Sequence, residues 1–87
     1  MNNFDDIRNE QRKEDPSLFF TLEIVGGLMA AKDRKGISQR ELSRLSGVAQ
    51  KTISRIENGI DVPTLETLGK LANALGMSIV LVEDQED

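Results

Sequence analysis

The sequence predicts an all-α fold, a small helical bundle that ends in a single β-strand. Each of four glycines follows a stretch with helical spacing of apolar residues, and these glycines are Gly36, Gly47, Gly59 and Gly76. Leu, Ile, Val and Phe together make up 25 of the 87 residues, a content typical of folded chains. A chain of this length forms one small domain with little stability to spare, which favours oligomerisation.

The first part of the chain predicts two helices. Residues 3–14 fit a short amphipathic helix with an acidic character. Asp15 and Pro16 then predict an N-cap followed by proline at the first helical position, where its fixed φ already suits a helix. A long helix to about Lys35 is expected to follow. Its apolar residues cover most of its circumference, so we expect it to pack on the domain core and on something else.

Three shorter helices are predicted next. Ser38 and Glu41 form a capping box, in which the serine accepts from the amide three residues on and the glutamate reaches back to the cap amide. This motif begins a helix over about 39–45. A second helix is expected over about 50–58, and Thr64 caps a third that ends near Gly76. The second helix is expected to present Ile53 and Ile56 to the core, and the third carries Leu65, Leu68, Leu71 and Leu75.

Residues 77–82 predict one β-strand, because they are apolar and largely β-branched ahead of an acidic end. A lone strand leaves its backbone groups unpaired, and no other segment looks like a partner. Pairing with the same strand of a second copy is the simplest solution; a last helical turn or a frayed tail is the alternative. The residues expected to form this dimer contact are Ile79, Val80, Leu81 and Val82. The chain thus divides into an acidic helix (1–14), a helical domain (15–76) and a dimerisation strand with an acidic tail (77–87).

Basic side chains are concentrated in residues 32–56. This segment holds seven basic and two acidic residues, a net charge of +5, whereas the remainder of the chain sums to −9 and the total is −4. A split of this size suggests two surfaces with different partners, one anionic and one cationic. The alternative is that both are simply solvated faces.

The composition argues against an enzyme. There is no Cys and no His, which removes thiol nucleophiles, disulfides, the usual zinc sites and Ser–His pairs. We therefore expect no metal and no cofactor. The longest apolar stretch, residues 18–31, is interrupted by Glu23 and is too short to span a bilayer, and the N-terminus lacks a signal-like pattern. We expect a cytoplasmic protein with no membrane partner.

Residues 38–59, SQRELSRLSGVAQKTISRIENG, have the arrangement of a helix-turn-helix: a short helix, a turn glycine and a second helix. Such a second helix fits the major groove of DNA, where its N-terminal side chains reach the base edges while the preceding helix crosses the backbone. The outer face of this second helix carries Gln50, Lys51, Thr52, Ser54, Arg55 and Asn58.

Residues 38–76 resemble the Cro/phage-repressor (XRE) family. The family pattern T-Q-x-E-L-A, G-V-S-Q, I-S-x-I-E-x-G and P-S-L-x-T-L is matched here by SQRELS (38–43), GVAQ (47–50), ISRIENG (53–59) and PTLETL (63–68). The resemblance implies a bundle of the lambda-repressor-like DNA-binding type and a sequence-specific transcriptional repressor. Two such motifs in a homodimer imply a palindromic operator in double-stranded DNA.

The same resemblance assigns roles to the polar residues of the motif. Gln50, Lys51 and Arg55 are implied to face bases, since glutamine pairs well with adenine and arginine or lysine with guanine. Phosphate contacts are implied for Gln39, Thr52, Ser54 and Asn58. Lys32 is implied to pair with Glu57 as a structural contact. Ala49 departs from the family, because a serine or threonine N-cap is usual there, so affinity for DNA is expected to be modest.

The flanks of the motif resemble those of antitoxins. The layout is similar to HigA-type antitoxins, which are dimers that repress their own operon and neutralise a small basic toxin, of the HigB/RelE-like class, that cleaves mRNA at the ribosome. Acidic flanks suit a cationic partner of that kind. The segment LGMSIVLVED (75–84) is also similar to HipB-type antitoxins, whose partner is a kinase-fold toxin. A regulator without a toxin, or an interaction module that keeps the motif only as a scaffold, are the remaining alternatives.

Overall fold

A computed structural model describes residues 15–84 of the chain. Within that range there are four helices: α1 (Pro16–Arg34), α2 (Gln39–Ser46), α3 (Gln50–Glu57) and α4 (Leu65–Ala74). Their ends agree with the predicted boundaries to within one or two residues, the usual precision of helix assignment. The all-α prediction is confirmed, and the helix predicted over 3–14 lies outside the described residues.

Side-chain N-caps begin three of the four helices, as predicted. Asp15, Ser38 and Thr64 each accept a hydrogen bond from the backbone N–H three residues on, at 3.1, 3.0 and 3.1 Å. These bonds satisfy amides that have no partner within the helix. Helix α3 differs because Ala49, its cap residue, makes no side-chain hydrogen bond.

The glutamate half of the predicted capping box is wrong. Glu41 does not reach back to Ser38 but accepts two hydrogen bonds from Arg44, with an Nε–Oε1 distance of 3.2 Å and an Nη2–Oε2 distance of 2.6 Å. A charged donor one turn away binds a carboxylate more strongly than a neutral amide does. The hydrogen bond from Arg44 holds the pKa of the Glu41 carboxyl below its ordinary value.

The core is shared by all four helices. Helix α2 packs on α3 and α4, and α1 contacts both of those helices as well. The largest fully buried side chains are Leu42, Ile53 and Leu71, one each from α2, α3 and α4. The turn between α2 and α3 depends on Gly47, whose φ of 77° lies in the left-handed region that residues with a Cβ adopt only with strain. This turn sets the angle between α2 and α3.

The apolar residues of helix α1 differ in burial along its length, and the packing of this helix on something besides the domain core stays a prediction. Leu28 and Met29 are buried in the core, whereas Phe20 and Leu22 remain exposed. None of the helices in residues 15–84 combines the length and the apolar character needed to cross a membrane.

Residues 77–84 follow α4 without regular secondary structure. The backbone N–H of Met77 donates to the carbonyl of Ala72 at 2.8 Å, and the segment then runs between α1 and α4. A strand exists only when a neighbour supplies its hydrogen bonds, and the described part of this single chain supplies none. The strand over 77–82 therefore stays a prediction. Its most exposed residues are Val80, Leu81 and Val82.

Candidate nucleic-acid interface

Helix α3 presents the three predicted base-contacting residues to solvent. Ile53 and Ile56 are 0% and 3% exposed and fix the inward side of the helix. Gln50 and Lys51 are exposed in its first turn, and Arg55 lies one turn after Lys51 and is partly exposed. All three therefore lie on the side of α3 that is turned away from the core. An exposed helix of this kind is what the major groove accepts.

Two of the four predicted phosphate contacts lie at the ends of the motif, and the other two lie within α3. Gln39, the first residue of α2, donates from Nε2 to Glu57 Oε1 at 2.9 Å, so one amide hydrogen is engaged and the other remains. Asn58 is exposed just after α3, with its Nδ2 atom 3.5 Å from the Ser54 hydroxyl. Thr52 and Ser54 are partly buried. These four side chains flank the exposed face of α3 without filling it.

The pair between Lys32 and Glu57 is present. Lys32 is only 7% exposed, and its Nζ atom lies 3.8 Å from Glu57 Oε2 and 3.0 Å from Asp33 Oδ1. The other oxygen of Glu57 accepts from Gln39. One carboxylate at the end of α3 thus binds the end of α1 and the start of α2, and it balances a buried charge that would otherwise be costly.

Arg55 is held by a residue that the sequence did not single out. Its Nε and Nη2 atoms donate to the two carboxylate oxygens of Asp61, at 2.8 and 3.2 Å. The side chains of Arg55 and Asp61 are 44% and 42% exposed. The hydrogen bond that Arg55 donates to Asp61 lowers the pKa of the Asp61 carboxyl. The same hydrogen bond raises the pKa of the Arg55 guanidinium. The only sequence signal was an aspartate two residues after the glycine that ends the motif.

The positive charge of residues 32–56 is smaller at the surface than the count suggests. Lys32 is buried, and the glutamate and aspartate that follow the segment, Glu57 and Asp61, fold back on it. Arg44 is paired within α2. In the described part of the chain, the basic residues of the segment with no salt bridge are Arg34, Lys35, Arg40 and Lys51. Lys51 is the one of these four on α3, and it is also a predicted base contact.

Comparison with known proteins supports this geometry. A family model described as helix-turn-helix matches residues 28–82, which include α2, the turn and α3. The chain belongs to the XRE-type helix-turn-helix family. It is 40% identical over 76 residues to an uncharacterised HTH-type transcriptional regulator of Haemophilus influenzae, a match that covers 87% of this chain and 76% of that protein. The DNA-binding, transcription-regulating class predicted from residues 38–59 is confirmed.

Two further members of the comparison are named for toxin–antitoxin systems. The chain is 29% identical over 66 residues to antitoxin HipB of Escherichia coli strain K12, covering 76% of this chain and 75% of HipB. It also resembles a solved structure described as a toxin–antitoxin module from Streptococcus pneumoniae, with a TM-score of 0.69 and 34% identity. That likeness covers 95% of this chain and 94% of the solved one. The predicted resemblance to antitoxins is therefore confirmed, and the chain is an antitoxin-like helix-turn-helix regulator.

Proposed function

We propose that the protein is a homodimeric repressor that recognises a palindromic operator through α3. Gln50, Lys51 and Arg55 face the base edges, and phosphates are bound by Gln39, Thr52, Ser54 and Asn58. The observation that carries the proposal is the orientation of α3, which buries its two isoleucines and turns its base-pairing side chains outward. Glutamine and arginine or lysine have the donors and acceptors that read adenine and guanine in the major groove.

The dimer proposal rests on the apolar segment after α4. Ile79, Val80, Leu81 and Val82 are all exposed in the single chain, and none of the backbone hydrogen bonds within residues 15–84 involves them. A symmetric pair of chains would place two α3 helices in successive major grooves, about 34 Å apart or a multiple of that distance. The operator is then a palindrome because the protein pair has two-fold symmetry.

Operator binding is tested with a duplex that the wild-type protein selects from a random-sequence pool. Lys51→Ala and Arg55→Ala are each expected to weaken binding by about tenfold or more, because each removes a contact to a base edge. Affinity is also expected to fall steeply between about 50 and about 200 mM salt, because protein binding releases counterions from the DNA. A fluorescence anisotropy titration with labelled duplex measures both effects.

Lys70→Ala is the matched control for Lys51→Ala. Lys70 carries the same charge but lies on α4, where it is paired with Glu66 at 3.5 Å. Its removal is expected to change affinity less than about threefold, in line with the loss of one long-range charge. Equal losses in the two lysine variants, or an affinity that does not respond to salt, would exclude α3 as the reading helix.

We further propose that the protein is the antitoxin of a pair and that its partner is a small basic, mRNA-cleaving toxin of the HigB/RelE-like class. Support comes from the similarity to a toxin–antitoxin module and to antitoxin HipB. The net charge of −9 outside residues 32–56 suits a cationic partner. The similarity to HipB favours a second candidate, a kinase-fold toxin.

Co-expression with the protein encoded by the neighbouring reading frame tests the antitoxin role. The neighbour alone is expected to stop growth, and both together are expected to form a stable complex that permits growth. Cleavage of translated mRNA by the purified neighbour identifies the ribonuclease class, whereas ATP-dependent phosphorylation identifies the kinase-fold class. Unimpaired growth with the neighbour alone, and no complex, would leave a regulator without a toxin.

A further inference from the structure

We infer that Asp61 is a positioning residue that fixes the guanidinium of Arg55 for reading guanine and thereby determines operator specificity. The inference rests on the proposed function, because it requires α3 to lie in the major groove. Asp61 itself lies beyond the end of α3, and its carboxylate is no base-reading group for guanine. It acts through Arg55.

The pair leaves the reading edge of Arg55 free. Asp61 takes the Nε hydrogen and one Nη2 hydrogen, at 2.8 and 3.2 Å, which occupies one side of the guanidinium fork. Arginine has five N–H donors, so the Nη1 hydrogens and the second Nη2 hydrogen remain. These three lie at the end of the side chain, and two of them have the spacing that binds guanine O6 and N7 together. Asp61 therefore holds Arg55 without blocking it.

The backbone brings Asp61 to Arg55 before the side chains meet. The backbone N–H groups of Ile60 and Asp61 both donate to the carbonyl of Arg55, at 2.8 and 3.2 Å. Gly59, with φ of 74°, makes this return possible. Because the turn is already closed by these bonds, the ion pair forms with little further loss of conformational freedom. An arginine that is fixed in advance loses less entropy when it binds DNA.

Folding stability is a poor explanation for this pair. Both side chains are more than two-fifths exposed, and exposed ion pairs contribute little to stability. Lys51, one turn before Arg55, has no salt bridge in the described part of the chain. Of the two α3 cations assigned to base reading, Arg55 alone thus has a fixed orientation.

A carboxylate beside the DNA also discriminates against the wrong contacts. Asp61 repels phosphates and occupies two of the donors with which Arg55 could bind them. Arg55 is therefore directed away from the DNA backbone, whose contacts carry no sequence information, and toward a base edge. Removing the charge of Asp61 is expected to strengthen general DNA binding while it weakens discrimination between bases. A residue that only stabilised the fold would not have opposite effects on these two quantities.

The test compares Asp61→Asn with the wild-type protein on two duplexes. One is the duplex that the wild type selects from a random pool, and the other has adenine in place of the guanine whose discrimination Arg55→Ala abolishes. The wild type is expected to prefer guanine by about tenfold or more, and Asp61→Asn by about twofold. Affinity for a scrambled duplex is expected to rise about threefold in Asp61→Asn. Circular dichroism verifies that the variant is folded.

Glu41→Gln is the matched control. It removes one negative charge from a similar two-bonded arginine pair, Glu41 with Arg44, which lies within α2. Its affinity for the scrambled duplex is expected to rise like that of Asp61→Asn, while its preference for guanine stays at the wild-type level. This contrast separates the loss of a charge from the loss of the Arg55 orientation.

Three results would overturn the inference. Undiminished guanine preference in Asp61→Asn would show that Arg55 needs no positioning. Tighter binding of both duplexes with the wild-type preference would show that Asp61 only competes with DNA for Arg55. If the wild type selects no sequence, or if Arg55→Ala binds as the wild type does, the proposed function fails first and the inference fails with it.

Discussion

Glu57 shows how one side chain can serve the scaffold of a binding motif without facing the ligand. Its two oxygens meet Gln39 from α2 and Lys32 from α1, so three helices converge on one carboxylate. Lys32 is buried, and its remaining partner, Asp33, is largely exposed to solvent and therefore well screened. Glu57 is thus the better shielded of the two charges that compensate Lys32, and it also orients Gln39 for its proposed phosphate contact.

We expect Glu57→Ala to lower the free energy of unfolding by about 1 to 3 kcal/mol, because a buried cation loses a partner and an amide loses its acceptor. Urea or thermal denaturation followed by circular dichroism measures the change. Glu66→Ala is the control, since it removes an exposed i,i+4 pair with Lys70 and is expected to change stability by less than about 0.5 kcal/mol. Similar losses of unfolding free energy in both variants would show that Glu57 contributes no more to stability than an exposed ion pair does.

At the scale of elements, the features that could be predicted were those with local causes. Caps, helix-ending glycines and apolar periodicity depend on residues within a turn of one another, and they located all four described helices. The capping box failed in part because Arg44 is a competing partner on the same helix. The pair of Arg55 with Asp61 was missed because it depends on how the chain returns after Gly59. The strand over 77–82 stays a prediction, because its proposed partner belongs to a second copy of the chain.

In the candidate site, too, the features with local causes could be predicted and those that depend on tertiary contacts could not. The exposed face of α3 follows from the positions of Ile53 and Ile56, so the residues available to DNA could be named from the sequence. The number of unpaired charges could not be predicted from the sequence, because ion pairing depends on tertiary contacts. Residues 32–56 count to +5, yet Lys32 is buried and Arg44 and Arg55 are paired. The balance between attraction to phosphate and selectivity for bases is therefore set by the folded structure.

At the scale of the whole molecule, charge and apolar surface separate the proposed partners. In the described part of the chain, the basic residues of the segment 32–56 that have no salt bridge are Arg34, Lys35, Arg40 and Lys51, whereas the residues outside this segment sum to a net charge of −9. The exposed apolar residues of the described chain include those after α4, in the segment beside α1 and α4. The proposed function assigns the basic segment to DNA and the apolar residues after α4 to a second copy of the chain. These two surfaces leave DNA binding and dimerisation compatible with each other in one complex.

In the proposed function, operator affinity depends most on the proposed dimer. A single α3 reads one half-site, and joining two copies makes the second contact effectively intramolecular, which is worth about a hundredfold or more in affinity.

We expect the double variant Val80→Asp, Leu81→Asp to be monomeric by light scattering and to bind the selected duplex at least about a hundredfold more weakly. Both side chains are more than two-thirds exposed in the single chain, so the substitutions leave the core intact. Glu83→Ala, in the same segment but outside the apolar run, is the control and is expected to stay dimeric. A dimeric mass for the double variant would exclude residues 77–82 as the pairing strand, and a monomeric variant with undiminished affinity would show that one α3 suffices for the operator.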